Sequence, residues 1–372
     1  MASLNDKTIE LKVAAPSEVK VAIEGLRAVD MGHMLDCTLE MPRQIMNAIQ
    51  VSAEFNEGDL PLDHTRVHLV GMGGSAITGD LLWDMMNPKN VIEVHRGVLP
   101  PRDRCGVILS SYSGNTSEIL ELSRMVVGGL RTVAVVTSGG ALEAMAWESG
   151  LPVWKMPAGY QPRAAVGWSL GFLVCLMERW RVLNAVVKKL EHAAHRLAGS
   201  LEQGELSDHP LIRAALPIAD LLSGHNGVIF HSFRCVGAAH RLAAQISENS
   251  KQPTFTAALP ESLHNTVEGI AGADPSKWTL VFMSDPGDTP SLREALNRAL
   301  QHFSGLGFDC VQFPAAGDGP FELTLSRLVI ADFVSLFLAA KSGVDPTPIR
   351  FISNLKEGRS NPNPENAGLV SN

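Results

Sequence analysis

Hydroxyl side chains crowd one short stretch of the chain, Ser110-Ser111-Tyr112-Ser113-Gly114-Asn115-Thr116-Ser117-Glu118, between an apolar run at 106–109 and an apolar-periodic segment at 119–127. The order reads as strand, turn and helix start. A helix N-terminus presents unpaired backbone N–H groups and a partial positive charge, so hydroxyls gathered there hold a phosphate by hydrogen bonds alone. Such a site needs neither a metal nor a nucleotide-type lysine. Asn115 with Glu118 three residues later also fits a capping box; capping accounts for those two and leaves Ser111, Ser113 and Thr116 for an anion. A second turn lies upstream, where the strand pattern at 67–70 runs into Gly71-Met72-Gly73-Gly74-Ser75-Ala76 and an apolar helix through Leu82 and Met85. Gly71, Gly73 and Ala76 match the G-x-G-x-x-A spacing of a dinucleotide site, with Glu93 about 20 residues on. Glycine there also serves simply to let helix and sheet approach. A nicotinamide site does not call for a second, serine-rich anion turn one strand away. A sugar phosphate, by contrast, is gripped between two such turns, with Gly73, Gly74 and Ser75 on one side and Ser111, Ser113 and Thr116 on the other.

The elements that must position these turns follow from the periodicity. From 66 to about 184, strands starting near Val67, Val91, Val107, Val133 and Val153 alternate with helical segments, the pattern of an α/β doubly wound parallel sheet. Ligands of such sheets bind beyond the carboxyl ends of the strands, where both turns fall. Residues 1–65 read as an N-terminal helical extension, with helices at 19–35 and 42–55, packing on this first domain. A helical linker at 185–225 leads to a second α/β domain at 226–356. Its strands are expected at 227–231, 279–283 and 308–313, and its helices at 236–248, 292–303 and 321–340. This half carries His231-Ser232-Phe233-Arg234 in place of a glycine turn, as a duplicate without the anion site. The Asn-, Pro- and Gly-rich tail at 357–372 is expected to be mobile.

Bulk properties bound the function. A chain of 372 residues suits two domains, each burying its own core. A net charge of −8 argues against nucleic acid or an anionic membrane as partner, so positive potential for an anionic substrate must be concentrated locally. No apolar stretch reads as long and uninterrupted enough to span a bilayer, and residues 1–10 lack a signal-peptide layout, so a cytoplasmic protein is expected. The cysteines, Cys37, Cys105, Cys175, Cys235 and Cys310, are scattered without a C-x-x-C pair and read as buried thiols. Glu191-His192 and His195 lack the order of a zinc-binding H-E-x-x-H helix and read as a surface helix.

Seven segments in order carry a resemblance to a known family. They are GMGGS at 71–75, SYSGNT at 111–116, VTSGG at 136–140, PRAAVG at 162–167, ENSK at 248–251, PESLHN at 260–265 and GVDPTPI at 343–349. The set resembles the bifunctional phosphoglucose/phosphomannose isomerases, built from sugar isomerase (SIS) domains. That resemblance implies two SIS-type doubly wound domains with parallel five-stranded-type sheets flanked by helices. It implies aldose–ketose isomerisation of glucose 6-phosphate and mannose 6-phosphate to fructose 6-phosphate through a cis-enediol, without cofactor or metal. Glu248 takes the family position of the base, His264 that of the ring-opening histidine, Arg163 that of the group stabilising the enediolate, and Lys356 that of a substrate lysine. The histidine sits at a subunit interface in the family, so a homodimer is implied.

The residues alone say less. Glu248 ends an apolar helix, where the dipole disfavours a negative charge, a cost that needs a reason, although helix-end glutamates usually face solvent. A single histidine is more often structural than catalytic, Arg163 follows a proline turn, and Lys356 is a dipole-favoured helix-end lysine. Thr347 either contacts sugar hydroxyls or caps the last helix. Open alternatives are a sugar-phosphate-binding regulator without catalysis, an isomerase of another sugar phosphate, and a nucleotide-dependent oxidoreductase built on the first turn.

Overall fold

A computed structural model of the chain describes residues 12–55, 66–86, 91–97, 105–127, 132–356 and 358. The expectations for residues 1–10 and for the tail beyond 358 lie outside the described residues. Among the described residues, the N-terminal segment forms three α-helices, α1 (Pro16–Val29), α2 (Met34–Leu39) and α3 (Met41–Ala53). A single helix over 19–35 is not formed, because Asp30 ends α1 and turns its carboxylate to accept the Met34 and Leu35 N–H groups, each at 2.8 Å. A side chain that satisfies backbone donors locally competes with helix continuation.

The first sheet follows. Its elements are β1 (Val67–Gly71), α4 (Gly74–Met86), β2 (Ile92–His95), β3 (Gly106–Ser110), α5 (Ser117–Val126), β4 (Thr132–Thr137), α6 (Gly140–Glu148) and β5 (Val153–Lys155). All strands pair in parallel in the order β2-β1-β3-β4-β5. The order reverses between β1 and β3, and a crevice opens at such a switch point beyond the strand ends. Helices α7 (Val166–Arg179), α8 (Val186–Leu201) and α9 (Pro210–Leu222) lead to the second half. There β6 (Asn226–His231), α10 (Val236–Gln245), β7 (Thr254–Ala258), α11 (Thr266–Ala271), β8 (Trp278–Met283), α12 (Pro290–Gly305), β9 (Asp309–Gln312), α13 (Pro320–Lys341) and α14 (Arg350–Lys356) follow in order. This sheet is also parallel, ordered β7-β6-β8-β9. Strand β7 escapes the sequence pattern because it is a half-exposed edge strand, with Phe255 turned to solvent.

Side-chain alternation sorts each sheet into two faces. Val107 and Leu109 join an outer cluster with α5 and α6, whereas Ile108 joins the central core. In the second sheet Phe230 and Phe282 stack outward at 5.3 Å under α12, and Ile229 and Val281 face inward. The central core is common to both halves, drawing Leu81 and Leu82 from α4, Leu173 and Met177 from α7, Leu242 from α10 and Phe333 and Phe337 from α13. The expectation that each half buries a core of its own therefore holds only for the outer layers. Helix α13, 22 residues long, is apolar enough in length and composition to cross a membrane, contrary to the sequence reading. It is the buried centre of this core, with 89% of its most apolar window covered by protein.

Two contacts tie the halves together where α4 crosses α10. A Cβ on Gly237 would lie 2.4 Å from the Leu81 amide nitrogen, so only glycine permits this approach. Beside it, the buried Asp84 carboxylate accepts the Gly237 and Ala238 N–H groups at 3.1 and 2.9 Å, serving as the N-terminal cap of α10 from another helix. Complete burial pushes its pKa well above the ordinary carboxylate value.

His231, where the second half lacks a glycine turn, is buried and bonds the Ser232 carbonyl through Nδ1 at 3.0 Å. Burial lowers its pKa to about 4, so the folded chain keeps the ring neutral while the unfolded chain protonates near the ordinary value of 6.5. Between those two values the unfolded state binds more protons, and stability falls as pH falls through that window. Acidification from pH 7 to pH 5 should therefore remove about 2 kcal/mol of unfolding free energy through this residue alone. Urea unfolding at the two pH values should show a correspondingly smaller loss for His231→Asn. An equal loss in both proteins would assign the pH dependence to other groups.

Candidate active site

The first glycine turn closes tightly. Gly73 adopts φ +50, and a Cβ at Gly71 would meet the Ser75 and Ala76 backbone at 3.2 Å. Gly74 faces the Pro162 carbonyl and the Arg163 Cα, which a Cβ would approach at 3.4 and 3.6 Å. The turn that starts α4 thus rests against the short 3₁₀ turn Pro162–Ala165 that starts α7. Ser75 is buried and Gly73 exposed.

In the second turn, Ser111 Oγ and Thr116 Oγ1 share a hydrogen bond of 3.0 Å, and the exposed Ser113 Oγ accepts the Asn115 N–H at 3.3 Å. The capping box suggested by the sequence is not formed. Thr116 is the N-cap of α5 and makes no side-chain cap, Asn115 Oδ1 accepts from Ala141 N–H at 3.0 Å, and Glu118 takes the Ser117 hydroxyl at 2.9 Å. Gly114, at φ +64, packs so closely on the next turn that a Cβ would lie 1.8 Å from the Gly139 carbonyl oxygen. The VTSGG segment thereby buttresses the hydroxyl turn.

Glu248 belongs to a structure the periodicity does not announce. The α-helix expected over 236–248 ends at Gln245, and Ile246–Ser250 forms a π-helical turn. Such turns insert a residue into the helix and re-aim the side chains that follow. Arg163 meets this turn. Its Nε donates to Asn249 Oδ1 at 2.7 Å and Nη1 to Glu248 Oε2 at 3.3 Å. Nη2 donates to the Pro346 and Thr347 carbonyls at 2.7 and 2.9 Å. Four of the five guanidinium N–H donors are thereby engaged among the described residues, and the fifth lies on Nη1 beside the Glu248 carboxylate. The Arg163 side chain is 4% exposed and that of Glu248 27%. Burial lowers the Arg163 pKa, with the Glu248 charge opposing that shift.

Lys251, in left-handed backbone conformation at φ 61, returns its Nζ to the Glu248, Asn249 and Pro346 carbonyls at 2.5, 3.2 and 3.4 Å. Burial first, and then the Arg163 charge, lowers its pKa to about 8. The negative charge at this helix end is thus offset by a buried guanidinium, and the terminal carbonyls are met by an ammonium.

A buried network supports the pair. Asp332 of α13 accepts Arg241 Nη2 and Gln245 Nε2 of α10, each at 2.8 Å, and Arg241 Nη1 donates to the Arg163 carbonyl at 3.0 Å. Ser335 holds Asn249 Nδ2 at 2.9 Å. Asn249 and Lys251 lie in the ENSK segment without a role read from the sequence, and Arg241, Gln245 and Asp332 are not singled out there. The available signal was Asp332, with Arg327 one of two charges in the middle of a largely apolar helix, since a buried charge demands a partner.

The remaining candidates sit further out. Thr347 contributes its carbonyl to Arg163, while its buried Oγ1 lies over Gly32, where a Cβ would come within 2.2 Å of it. Lys356 ends α14 and is exposed. Its charge reaches the second turn, where Glu118 is held below the ordinary carboxylate value by its own backbone N–H, by Ser117 and by Lys356. His264 is exposed on the 3₁₀ turn Glu261–His264 that follows edge strand β7, and among the described residues no hydrogen bond or ion pair joins it to Glu248. An open cleft of about 470 Å³ between the first turn and β7 is lined by Gly73, Arg96, His240 and Phe255, without Arg163 or Glu248.

Residues 213–358 match the family model described as the bacterial phospho-glucose isomerase C-terminal SIS domain. The chain is 30% identical over 296 residues to the bifunctional phosphoglucose/phosphomannose isomerase of Aquifex aeolicus, covering 77% of this chain and 88% of the relative. With the enzyme of that name from Caldicellulosiruptor bescii it shares 28% identity over 340 residues, 87% of this chain and 98% of the relative. The fold is similar to that of a hypothetical protein, TT0462, from Thermus thermophilus, with a TM-score of 0.65 at 15% identity, covering 92% of this chain and 96% of that one.

Proposed function

Because the chain belongs to the bifunctional phosphoglucose/phosphomannose isomerase family, we propose that it interconverts glucose 6-phosphate and mannose 6-phosphate with fructose 6-phosphate through a cis-enediol, without a metal. The observation that carries this reading is the pairing of Glu248 with the buried Arg163, beside the backbone of the first anion turn. Isomerisation needs a base that moves a proton between C1 and C2 and a positive donor for the enediolate oxygens. Glu248 serves as that base. The remaining Nη1 N–H of Arg163 meets the developing oxyanion on the same side, and Arg163 also fixes the carboxylate it works beside.

The phosphate is held by Ser75 and the Gly73 and Gly74 backbone on one side and by Ser111, Ser113 and Thr116 on the other, with Lys356 adding charge near the second turn. Glucose and mannose 6-phosphates differ only at C2 and share one enediol, so a base that reaches either face of it acts on both. Ring opening falls to His264. The lack of any hydrogen bond or ion pair between it and Glu248 among the described residues, and its exposure beside an edge strand with Phe255 57% exposed, support a homodimer in which His264 completes the partner's site.

A coupled assay of metal-stripped protein, following fructose 6-phosphate from each substrate separately, tests the reading. Turnover of both is the expected result. Turnover of one alone would confine the activity to that epimer, and sugar-phosphate binding without turnover would favour a sensor.

A further inference from the structure

Glu93 has a setting its spacing from the glycine turn does not suggest. In the β1–β2 register His68 lies opposite Glu93 and Val70 opposite His95, so the three polar side chains share one face of the first sheet. It is the face away from α4, since Leu69 and Val94 are the residues packed beneath Gly79 of that helix. There His68 Nδ1, Glu93 Oε2 and His95 Nε2 converge: the two ring nitrogens are 2.8 Å apart, and the carboxylate oxygen is 3.6 and 3.7 Å from them.

A triangle with these sides has a point about 2.0 Å from every corner, and zinc takes bonds of about 2.0–2.2 Å to imidazole nitrogen and carboxylate oxygen. An ion slightly above the plane keeps three such bonds and leaves its fourth position toward solvent. Among the described residues that side reaches solvent through Glu93, 45% exposed, and His95, 12% exposed, while His68 is fully enclosed. Two imidazoles and a carboxylate are a ligand set for borderline divalent transition metals, and magnesium or calcium would instead require mostly oxygen.

We propose that His68, Glu93 and His95 form a binding site for a divalent transition metal of the zinc type, separate from the isomerase machinery, that pins edge strand β2 to β1. The 2.8 Å contact between the rings requires a proton on one of the two nitrogens, and the metal takes that proton's place and releases it to solvent. The site is structural in consequence. β2 runs directly into Arg96, whose guanidinium holds Asp80 of α4, and Asp80 in turn accepts from His240 Nδ1 at 2.7 Å. Fixing β2 therefore steadies the wall of the cleft beside Gly73.

Titration of the metal-stripped full-length protein with Zn²⁺ alone, read by calorimetry and by thermal unfolding, tests the site, with Co²⁺ absorption as a report on coordination. We expect one equivalent bound, a melting temperature raised by zinc, and the visible bands of a four-coordinate cobalt ion. His95→Ala and Glu93→Gln should each weaken binding by at least about tenfold and lose the thermal shift. Both positions are partly exposed, so neither change empties the core. His192→Ala/His195→Ala, which removes the exposed histidine pair on α8, should leave binding intact. Zinc uptake that survives His95→Ala, uptake abolished by the α8 change, or no uptake by the unaltered protein at micromolar zinc would each overturn the assignment.

Discussion

Glu248→Gln should lower kcat for both glucose 6-phosphate and mannose 6-phosphate by about a thousandfold or more, the range expected for loss of a general base. Gln is nearly isosteric and keeps an oxygen for the Arg163 Nη1 contact, so the π-helical turn, Asn249 and the Lys251 cap stay in place. The phosphate turns lie on other elements and lose nothing. Sugar-phosphate affinity, measured directly by calorimetry, should therefore stay within about threefold, so the loss falls on the chemical step and not on binding. A variant that still turns over at a tenth of the normal rate would remove Glu248 from the role of base. Parallel loss with both epimers is part of the expectation, because one carboxylate serves one shared enediol. A variant that lost mannose turnover alone would require a second base.

Asp332→Ala should destabilise the folded protein by about 3–5 kcal/mol, the cost of leaving a buried cation without its partner. Arg241 and Asp332 side chains are 3% and 1% exposed, and the second carboxylate oxygen is the acceptor for Gln245. Removing the carboxylate leaves both donors enclosed. Asp332→Asn should also destabilise, because its amide offers only one acceptor to two donors. Urea unfolding checks both. Combining Asp332→Leu with Arg241→Met should recover part of the loss, since apolar replacement of a buried ion pair is often neutral or better, while Gln245 Nε2 still lacks its acceptor. The recovered protein should still show reduced kcat, because Arg241 also holds the Arg163 carbonyl. Full activity in that double variant would show that the network serves stability alone.

Much of this architecture was legible in the residues. The first sheet's strands, β1 to β5, and three of the four in the second sheet follow from short apolar runs between turn signals, and the two anion turns from glycine and serine at strand ends. Strand β7 was missed because Thr-Phe-Thr-Ala-Ala alternates weakly and lies at an edge, where half the side chains meet solvent. The π-helical turn was missed for a different reason: Ile246 continues the apolar stripe of α10, so a period of 3.6 fits up to the point where the hydrogen bonding changes. Arg163 and Glu248 were named individually, but their contact joins positions 85 residues apart and depends on how α4 packs against both α10 and the turn that starts α7. The carbonyls of Pro346 and Thr347 could not be read at all, because a backbone oxygen carries no residue-type signal. The candidate cap at Asn115 failed because a competing acceptor use, to Ala141 in the neighbouring turn, is a tertiary contact.

The central core has a bearing on how such a chain can change over evolutionary time. Two sheets of like topology suggest two interchangeable modules, yet α13 comes from the second half and its apolar faces meet α4 of the first and α1 of the N-terminal segment. Cutting the chain between the sheets would strip that helix of much of its cover and leave Arg241, Gln245 and Asp332 at a raw surface beside it. Recombination at that boundary is therefore disfavoured, and the two halves are bound to be inherited, expressed and degraded as one piece.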